Sequence, residues 1–422
     1  MDPRSNAPRD AIACETFDEK ALEASSFSGP LFEWVIGSPR RLLWAARFLR
    51  LVCKLPGIPW AIVWRYDDVR EVLSRDEQFP VAWGERMIEV TEGRNFVLGM
   101  QRGPEYKISY EQLAEAFPLA DVPRLVERPA AEMADAILAD KAKKGCELDA
   151  VEDLITAVPT HLCESYFGIR IQDKVLFAKW TLAISSYLFG PTSSESDKTL
   201  ARAAAACLRK TIRDSIASAK SSPRKDTVLQ RMLGMGLADN VIHAQLFGMT
   251  MGFIPTNVLA GGNILETLLR RPEFLERARA AARADDDLLL WRCLREALRF
   301  RHINPGPWRI CPLGYTVGEG GPFPTRIRPG RKVLAIIQTA MFDPDRIEHP
   351  YVFNPERDDE NYMVFGFGQH WCLGFYIAKT TATQTFKPLL KFKRLEALGN
   401  PRVRTKRFKD LFPLHLDIAF EP

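Results

Sequence analysis

The stretch Phe365-Gly366-Phe367-Gly368-Gln369-His370-Trp371-Cys372-Leu373-Gly374 decides how the rest of this chain is interpreted. It holds three glycines, one histidine and one cysteine, and an apolar run with helical spacing begins at Phe375. Glycines so closely spaced let the backbone turn tightly and approach a large flat ligand. A cysteine just before a helix has backbone N–H groups and a positive helix end nearby, which favour the thiolate. The stretch therefore predicts a turn that presents the Cys372 sulfur to a ligand.

Taken alone, Cys372 has two simpler interpretations. A lone cysteine in a glycine-rich turn usually packs as a small hydrophobe. His370 and Cys372 could also contribute to a zinc site, but a closed zinc site needs four ligands. No Cys-x-x-Cys or histidine pair lies near these two residues in the sequence, so zinc is not favoured.

The whole stretch resembles the cysteine-ligand loop of the cytochrome P450 family, Phe-Gly-x-Gly-x-His-x-Cys-x-Gly, and matches it at every fixed position. The resemblance implies a mainly α (α+β) fold, in which a long central helix, the I helix, crosses a heme beside a small β region. It implies heme b as cofactor, Cys372 as the axial iron ligand, and Phe365, Gly366, His370 and Gly374 as residues that hold the heme. Thiolate ligation pushes electron density onto heme iron and favours O–O cleavage.

A long, mostly apolar helix is predicted near residues 238–271. The family's I helix carries Ala/Gly-Gly-x-Asp/Glu-Thr, and here Gly252 and Thr256 match a small residue of the oxygen groove and the threonine. Pro255 stands at the acid position, and proline has no titratable group and no N–H, so it bends a helix. The resemblance thus implies an altered acid–alcohol pair, in which Thr256, Asn257, ordered water or a substrate group delivers protons. The alternative is a kinked buried helix in which Thr256 bonds only to the backbone.

The segment Leu290–Phe300 is predicted to be a helix with Glu296 and Arg299 on one face. It resembles the family's Glu-x-x-Arg helix, and Phe353-Asn354-Pro355-Glu356-Arg357 resembles the segment that supplies a further arginine. The resemblance implies a structural cluster of Glu296, Arg299 and Arg357 that pins this helix to the segment carrying Cys372. On its own, a Glu-x-x-Arg pair is usually an exposed ion pair.

Two further groups of residues are candidates for binding the heme propionates. The family places an Arg at the position of Arg309, whose alternative interpretation is a surface residue at a strand end. The family also places a His and an Arg on its C helix, where this chain has Tyr106 and Tyr110. A phenol can donate a hydrogen bond to a carboxylate but carries no charge. The tyrosines could equally be a packing pair four residues apart on one helix face.

Several short elements are predicted outside these motifs. Pro59–Tyr66 has the composition of a strand, and Asp67–Leu73 that of a helix capped by aspartate. Tyr315–Val317 and Lys332–Ile336 are expected to form a strand pair, with a turn at Pro329-Gly330 between them.

Length and composition fit an ordinary globular protein, with 422 residues, 46% hydrophobic and 26% charged. No Gly/Ser- or Pro-rich linker divides the chain, so a single domain is expected over residues 29–422, after a loosely ordered arm at 1–28. The net charge of +5 is too diffuse to indicate nucleic-acid binding.

The eight cysteines are scattered without paired spacing, and no leader pattern precedes them. Reduced cysteines in a cytoplasmic compartment are the simplest interpretation. No apolar run reaches the ~18 residues of a membrane-spanning helix. The basic amphipathic segment 42–52, flanked by Arg40, Arg41 and Lys54, either packs on its own domain or makes a peripheral membrane contact.

The resemblance implies a monooxygenase that inserts one oxygen atom of O2 into a hydrophobic small molecule. Loops near 80–100, 180–195, 252–256 and 303–308 are expected to line its pocket. Electrons would come from a separate ferredoxin- or flavodoxin-type reductase system, because the chain shows no flavin or iron–sulfur module. The basic region that follows Cys372 would attract such an acidic donor, unless it is simply a solvated surface.

Two other functions stay open. The loss of the acid at Pro255 favours a peroxide-dependent peroxygenase or an enzyme that rearranges hydroperoxides. Against it, the family's peroxygenase branch has an Arg before this proline, and here Ile254 stands there. A non-catalytic heme sensor or carrier is the third reading, although the chain shows no sensor-type partner domain.

Overall fold

The computed structural model describes residues 10, 13–24, 30–55, 57–321, 323–399, 405–408 and 411–421. Its α-helices, numbered in chain order, are α1 Lys20–Ala24, α2 Pro30–Ile36, α3 Pro39–Val52, α4 Tyr66–Ser74, α5 Gly84–Thr91, α6 Pro104–Ala116, α7 Arg128–Lys143, α8 Ala157–Ser165, α9 Lys174–Phe189, α10 Glu195–Ser221, α11 Val228–Gly234, α12 Asp239–Leu269, α13 Pro272–Arg283, α14 Asp287–Phe300, α15 Ile337–Ala340 and α16 Phe375–Lys391.

Within the described ranges, the strands are short and form four small sheets. They are β1 Trp60–Val63, β2 Glu147–Asp149, β3 Trp308–Cys311, β4 Tyr315–Val317, β5 Thr325–Ile327, β6 Arg331–Ala335, β7 Arg394–Ala397, β8 Lys406–Phe408, β9 Phe412–His415 and β10 Asp417–Glu421. The sheets have the strand orders β1-β6-β3, β2-β10-β7, β4-β5 and β8-β9. The mainly α fold with a small β region is confirmed.

The helix predicted near 238–271 is α12, and it forms the centre of the fold. Most of its side chains are buried, which explains why its sequence shows no polar face. Pro255 lies inside α12 without ending it. The helix is held in place by neighbours that pack around it, among them α9, α10 and α14.

The predicted pairing of Tyr315–Val317 with Lys332–Ile336 is wrong. The strand β4 pairs with β5, and β6 instead lies between β1, to which it is parallel, and β3, to which it is antiparallel. The turn at Pro329-Gly330 therefore joins β5 to β6, and Gly330 has a φ of 76°. The parallel pair β1 and β6 joins segments that are far apart along the chain, so no local sequence signal predicts the pairing.

The predicted strand and helix near residue 60 are both present, with different ends. The strand β1 stops at Val63, and α4 begins at Tyr66, one residue before the expected aspartate cap. Among the residues that the structure describes, no side chain caps this helix. Asp67 and Asp68 lie in its first turn, where a negative charge stabilises the helix dipole.

A disulfide joins Cys14 to Cys207 of α10, so the expectation that all eight cysteines are reduced is wrong. The two residues are separated by 193 positions, and nothing in the local spacing could have paired them. The other six cysteines are free. The cytoplasmic location that the cysteine pattern favoured stays a prediction.

Part of the segment expected to be a loose arm packs on the rest of the chain. Asp10 is buried and forms ion pairs with Arg209 and Arg213 of α10, and Leu22 is buried in the main core. Residues 1–9, 11–12 and 25–28 of this segment lie outside the described residues. The division into an arm and one domain stays a prediction.

Candidate active site

The cysteine loop has the tight turns that its glycines predict. Gly366 and Gly368 adopt positive φ values of 79° and 73°. A Cβ on Gly368 would lie 2.3 Å from the carbonyl oxygen of Leu73 in α4, so only glycine fits this approach. The Cys372 N–H donates to the carbonyl of Phe365 over 3.0 Å, which closes the loop just before α16 begins.

Cys372 faces an enclosed, largely apolar environment. Burial raises the pKa of its thiol to about 11, although a backbone hydrogen bond at Gly374 acts in the opposite direction. Burial therefore opposes the thiolate that the loop and the helix end were expected to favour. A metal cation bound to the sulfur would act in the opposite direction, because it deprotonates a coordinating thiol outright.

A cavity of about 330 Å³ separates the cysteine loop from α12. Each of the four segments expected to line a pocket contributes to its wall. From those segments come Trp83, Phe96, Val97, Leu98, Phe189, Gly252, Phe253, Thr256, Ile303, Asn304 and Pro307, and the cysteine loop adds Phe365, Gly366, Phe367, His370, Cys372, Leu373 and Gly374.

Thr256 and Asn257 both line this cavity, but their side chains bond back to α12. The Thr256 hydroxyl lies 2.6 Å from the carbonyl of Gly252 and 3.2 Å from that of Phe253. The Asn257 Nδ2 donates to the carbonyl of Phe253 over 2.8 Å. The backbone-bonded arrangement of Thr256, stated above as an alternative, is thus the one present here, and its catalytic role stays a prediction.

Small residues along α12 let neighbouring side chains approach the helix. A Cβ on Gly252 would meet only the Leu98 side chain, at 3.6 Å, so this position keeps open space beside the helix. At Gly248, one turn earlier, a Cβ would lie 2.0 Å from the ring of Phe96. Sequence reasoning missed Gly248, although its spacing of four residues from Gly252 was a visible signal.

Arg309 is a buried cation beside the cavity. Its Nη1 donates to the carbonyl of Trp308 over 3.1 Å, and its guanidinium lies 5.2 Å from the ring centre of Trp83. No carboxylate of the described residues forms an ion pair with it. Burial lowers the pKa of Arg309 to about 10, while the more distant Asp76 acts to raise it. The surface-residue interpretation of Arg309 is wrong, because the residue is only 3% exposed.

His370 lies on the same side of the cavity. Burial, and then the charge of Arg309, lower the pKa of its imidazole to about 4, so the ring is neutral near neutral pH. Its neighbour Tyr106 packs edge-on against the ring with 5.9 Å between centroids, and the Tyr106 hydroxyl donates to the carbonyl of Gln369 over 2.8 Å.

Tyr106 and Tyr110 form the packing pair that was the alternative to propionate binding. Their ring centroids are 6.0 Å apart, and neither residue is part of the cavity wall. Tyr110 is 38% exposed. Tyr110 therefore does not reach the cavity. Tyr106 supports the cysteine loop through its contacts with Gln369 and His370.

The cluster of Glu296, Arg299 and Arg357 is formed as expected. Arg299 donates to both carboxylate oxygens of Glu296, over 2.8 and 2.7 Å, and both side chains are fully buried. The Nε of Arg357 lies 3.9 Å from Glu296. Tyr362, which sequence reasoning missed, donates to Glu296 over 2.7 Å. The cluster joins α14 to the segment that leads into the cysteine loop.

His302 is a further residue that the sequence did not single out. It is buried beside the cavity, and its two ring nitrogens lie 2.7 Å from the carbonyl of Asn304 and 3.0 Å from that of Val364. It therefore connects the segment after α14 to the residue just before the cysteine loop.

The basic region after Cys372 offers fewer unpaired cations to an acidic partner than its sequence suggests. Lys387 and Lys391 form ion pairs with Asp285, and Arg407 is buried against Glu266. The residues 402, 404 and 409 of the basic run lie outside the described part of the chain. An acidic partner would therefore meet fewer free cations here than the sequence count indicates.

These residues fit an iron porphyrin. The loop turns leave room for a flat ligand, Cys372 supplies a sulfur ligand, and Arg309 is a buried cation that a propionate would neutralise. The cavity wall next to Arg309 is aromatic, with Trp83 in edge contact with the wall residue Phe189 at 5.5 Å and with Trp308, behind the wall, at 6.3 Å.

Comparison with known proteins places these features in one family. The sequence model of the family described as Cytochrome P450 matches residues 51–407. The polyketide biosynthesis cytochrome P450 PksS of Bacillus subtilis (strain 168) is 23% identical over 334 residues, which cover 77% of this chain and 76% of PksS. Cytochrome P450(MEG) of Priestia megaterium is 23% identical over 351 residues, which cover 80% of this chain and 82% of that protein.

The fold is also shared with solved structures. P450BioI, crystallised in complex with an acyl carrier protein ligated to hexadec-9Z-enoic acid, superposes with a TM-score of 0.74 at 19% identity. The match covers 91% of this chain and 99% of that one. At this identity the likeness establishes the fold.

Proposed function

Because the chain belongs to the cytochrome P450 family, which binds heme b through a thiolate, we propose that it is a monooxygenase with Cys372 as the axial ligand. It is a P450 oxygenase, an enzyme of the oxidoreductase class. The proposed reaction inserts one oxygen atom of O2 into a hydrophobic small molecule. When bound, the heme supplies the activation of O2.

The observation that carries this proposal is the apolar cavity between the cysteine loop and α12. Aromatic side chains such as Trp83, Phe96 and Phe189 give its wall area for binding an apolar molecule. They also exclude water, which strengthens every electrostatic interaction inside the cavity. Asn257 and Asn304 are polar groups on this wall that can orient a substrate.

Proton delivery is the step in which this chain differs from the family pattern. Pro255 can neither carry a proton nor donate to the carbonyl of Met251. We propose that the Thr256 hydroxyl breaks its hydrogen bond to the Gly252 carbonyl and turns its Oγ1 proton toward the cavity. Asn257 is positioned beside it. The backbone carbonyl that Thr256 leaves is then available to accept a hydrogen bond from water or substrate.

Electrons are proposed to come from a separate ferredoxin- or flavodoxin-type system. The test uses purified holoprotein and begins with a panel of apolar ligands, read from the shift of the heme absorption band. Each ligand that binds is then incubated with ferredoxin, ferredoxin reductase and NADPH. Product that requires all three components supports the monooxygenase, and binding without product under any oxidant contradicts it.

A peroxide-dependent peroxygenase is the second candidate, and one observation favours it. Among the described residues, no aspartate or glutamate lines the cavity, in keeping with Pro255 at the acid position. An enzyme supplied with peroxide receives both oxygen atoms and both electrons already combined, so it does not need a reductase. Turnover with hydrogen peroxide alone, exceeding that with the ferredoxin system, would select this candidate.

The cytoplasmic location also remains a proposal. Fractionation of the native host, with the protein detected by antibody, tests it.

A further inference from the structure

An exposed apolar surface lies on α2 and α3. We call it the α2–α3 face, and its members are Leu31, Phe32, Trp34, Trp44, Phe48, Leu51 and Leu55. Trp44 is 66% exposed, Phe48 55% and Leu51 59%. Single exposed apolar residues are common on protein surfaces, but a cluster of this size marks an interaction site.

The α2–α3 face is continuous. Positions 44, 48 and 51 follow one another at steps of four and three, so they form one stripe along α3, and Leu55 lies in the turn that follows the helix. The rings of Trp44 and Phe48 stack with 6.0 Å between centroids. Arg41 lies 4.4 Å from the ring centre of Trp34, which joins α2 to this stripe.

This stripe differs from the face of α3 that packs against the rest of the protein. Leu42, Leu43 and Ala46 are buried on another side of the helix, in a cluster that includes Ile62 of β1 and Ile336. The helix therefore has a second apolar side beyond the one that its packing uses. The sheet that α3 packs on also carries Arg309 of the cavity wall, on β3, so this sheet connects α3 to the active site.

The chain around this face is strongly basic, and Glu33, between Phe32 and Trp34, is the one acidic residue in 31–66. Residues 34–66 contain six Lys or Arg and no Asp or Glu. Arg40, Arg47 and Lys54 are exposed, and none of them forms an ion pair with the described residues. Arg40 and Arg47 instead lie 4.4 Å over the ring of Tyr351 and 4.9 Å over that of Trp64.

We infer that the α2–α3 face binds peripherally to the surface of an anionic lipid bilayer. Trp and Phe side chains enter the headgroup region, and flanking cations meet anionic headgroups. A second copy of this chain would bring the same cations against one another, so the charge pattern disfavours a symmetric dimer through this face. Such binding would place the enzyme where apolar molecules dissolve, in accord with its apolar cavity.

The test is sedimentation of the holoprotein with vesicles of phosphatidylcholine alone or mixed with phosphatidylglycerol. We expect binding to the anionic vesicles, weakened by salt. Trp44→Ser combined with Phe48→Ser should weaken that binding at least tenfold. Arg47→Gln and Lys54→Gln should each weaken it about fivefold, the effect of one cation near an anionic membrane.

Matched controls separate this face from general surface effects. Leu313→Ser changes an apolar residue that is 90% exposed elsewhere, and Lys143→Gln removes an exposed cation on α7. Both should bind vesicles like the unchanged protein, and all variants should keep the same heme absorption spectrum.

Three results would overturn the inference. The first is a failure to sediment with either vesicle type, and the second is equal binding to neutral and anionic vesicles. The third is a concentration-dependent dimer in light scattering that Trp44→Ser with Phe48→Ser abolishes, which would assign the face to a second copy of this chain.

Discussion

Replacing Glu296 with glutamine removes the anion at the centre of a fully buried cluster. Its two carboxylate oxygens accept both hydrogen bonds of Arg299, one from Tyr362 over 2.7 Å and one from the backbone N–H of Asn354 over 3.1 Å. Arg357 adds a second guanidinium at 3.9 Å. Glutamine has nearly the same shape, so the substitution tests charge and hydrogen bonding rather than volume.

The expected cost is large. Two buried guanidinium groups lose their counter-ion, and the glutamine NH2 must face donors that the carboxylate had satisfied. Removing one partner of a buried ion pair costs about 3–5 kcal/mol, against a total stability of about 5–15 kcal/mol for a folded protein. We expect a loss of about 4 kcal/mol for Glu296→Gln, within that range.

Urea unfolding of the holoprotein measures this loss. Far-ultraviolet circular dichroism reports the helices, and the red-shifted band of the reduced carbon monoxide adduct reports the proposed bond between Cys372 and iron. Because Glu296 ties α14 to the segment before the cysteine loop, the band should disappear at or before the urea concentration that unfolds the helices. Glu132→Gln is the control, since Glu132 pairs with Arg128 on an exposed face, where such pairs contribute little.

Two results would refute this reasoning. A loss below ~1 kcal/mol would show that the cluster does not need its anion, since that is the range of an exposed pair. A thiolate band that survives after the helices unfold would show that the cluster does not hold the cysteine loop.

Three further predictions follow from the site. Arg309→Met should release heme at least about tenfold faster to a heme-scavenging globin, because loss of a charge-assisted bond to a buried carboxylate costs about 1.5–3 kcal/mol. Thr256→Ala should lower the ratio of product formed to NADPH consumed by about tenfold. This is less than the ~100-fold rate contribution of a positioned proton donor, because the Thr256 hydroxyl is bonded to its own helix. Burial acts to raise the pKa of Glu266, but nearby arginines, chiefly Arg407, lower it to about 2. Its contribution to stability is therefore present above its unfolded pKa and lost as the pH falls from about 4.5 to 2, amounting to about 3 kcal/mol in unfolding experiments.

Each of these predictions has its own control. Arg309→Lys keeps the charge and should release heme more slowly than Arg309→Met, and equal rates would contradict the charge argument. Thr256→Ser keeps a hydroxyl, so a loss of coupling as large as in Thr256→Ala would show that the hydroxyl is not the active group. The Glu266→Gln variant should lose less stability between pH 5 and pH 2 than the unchanged protein, and parallel curves would contradict the pKa assignment.

The parts of the site that lie within one short segment were predictable from the sequence. The turns at Gly366 and Gly368 follow from glycine at those positions, and the Glu296–Arg299 pair follows from helical spacing. The course of α12 and the position of Pro255 within it were also predictable, since periodicity and composition act over neighbouring residues.

Contacts between segments that are distant along the chain were harder to predict from the sequence. The approach of Arg357 to Glu296 was expected only from the family resemblance, and the contribution of Tyr362 was not expected at all. The disulfide between Cys14 and Cys207, the parallel pairing of β1 with β6 and the ion pairs of Lys387 and Lys391 contradicted or qualified what the sequence indicated.

The sequence by itself determined the turns of the cysteine loop and the helix that crosses the site, because each depends on residues adjacent along the chain. The fold class followed from the family resemblance, and Cys372 as the iron ligand stays a prediction. Tertiary structure decided that Arg309 is a buried cation, that the Cys372 thiol has a raised pKa and that Thr256 bonds to its own helix. Burial, counter-ions and cavity walls come from segments far apart in sequence, and their effect on charge and hydrogen bonding exists only once the chain has packed.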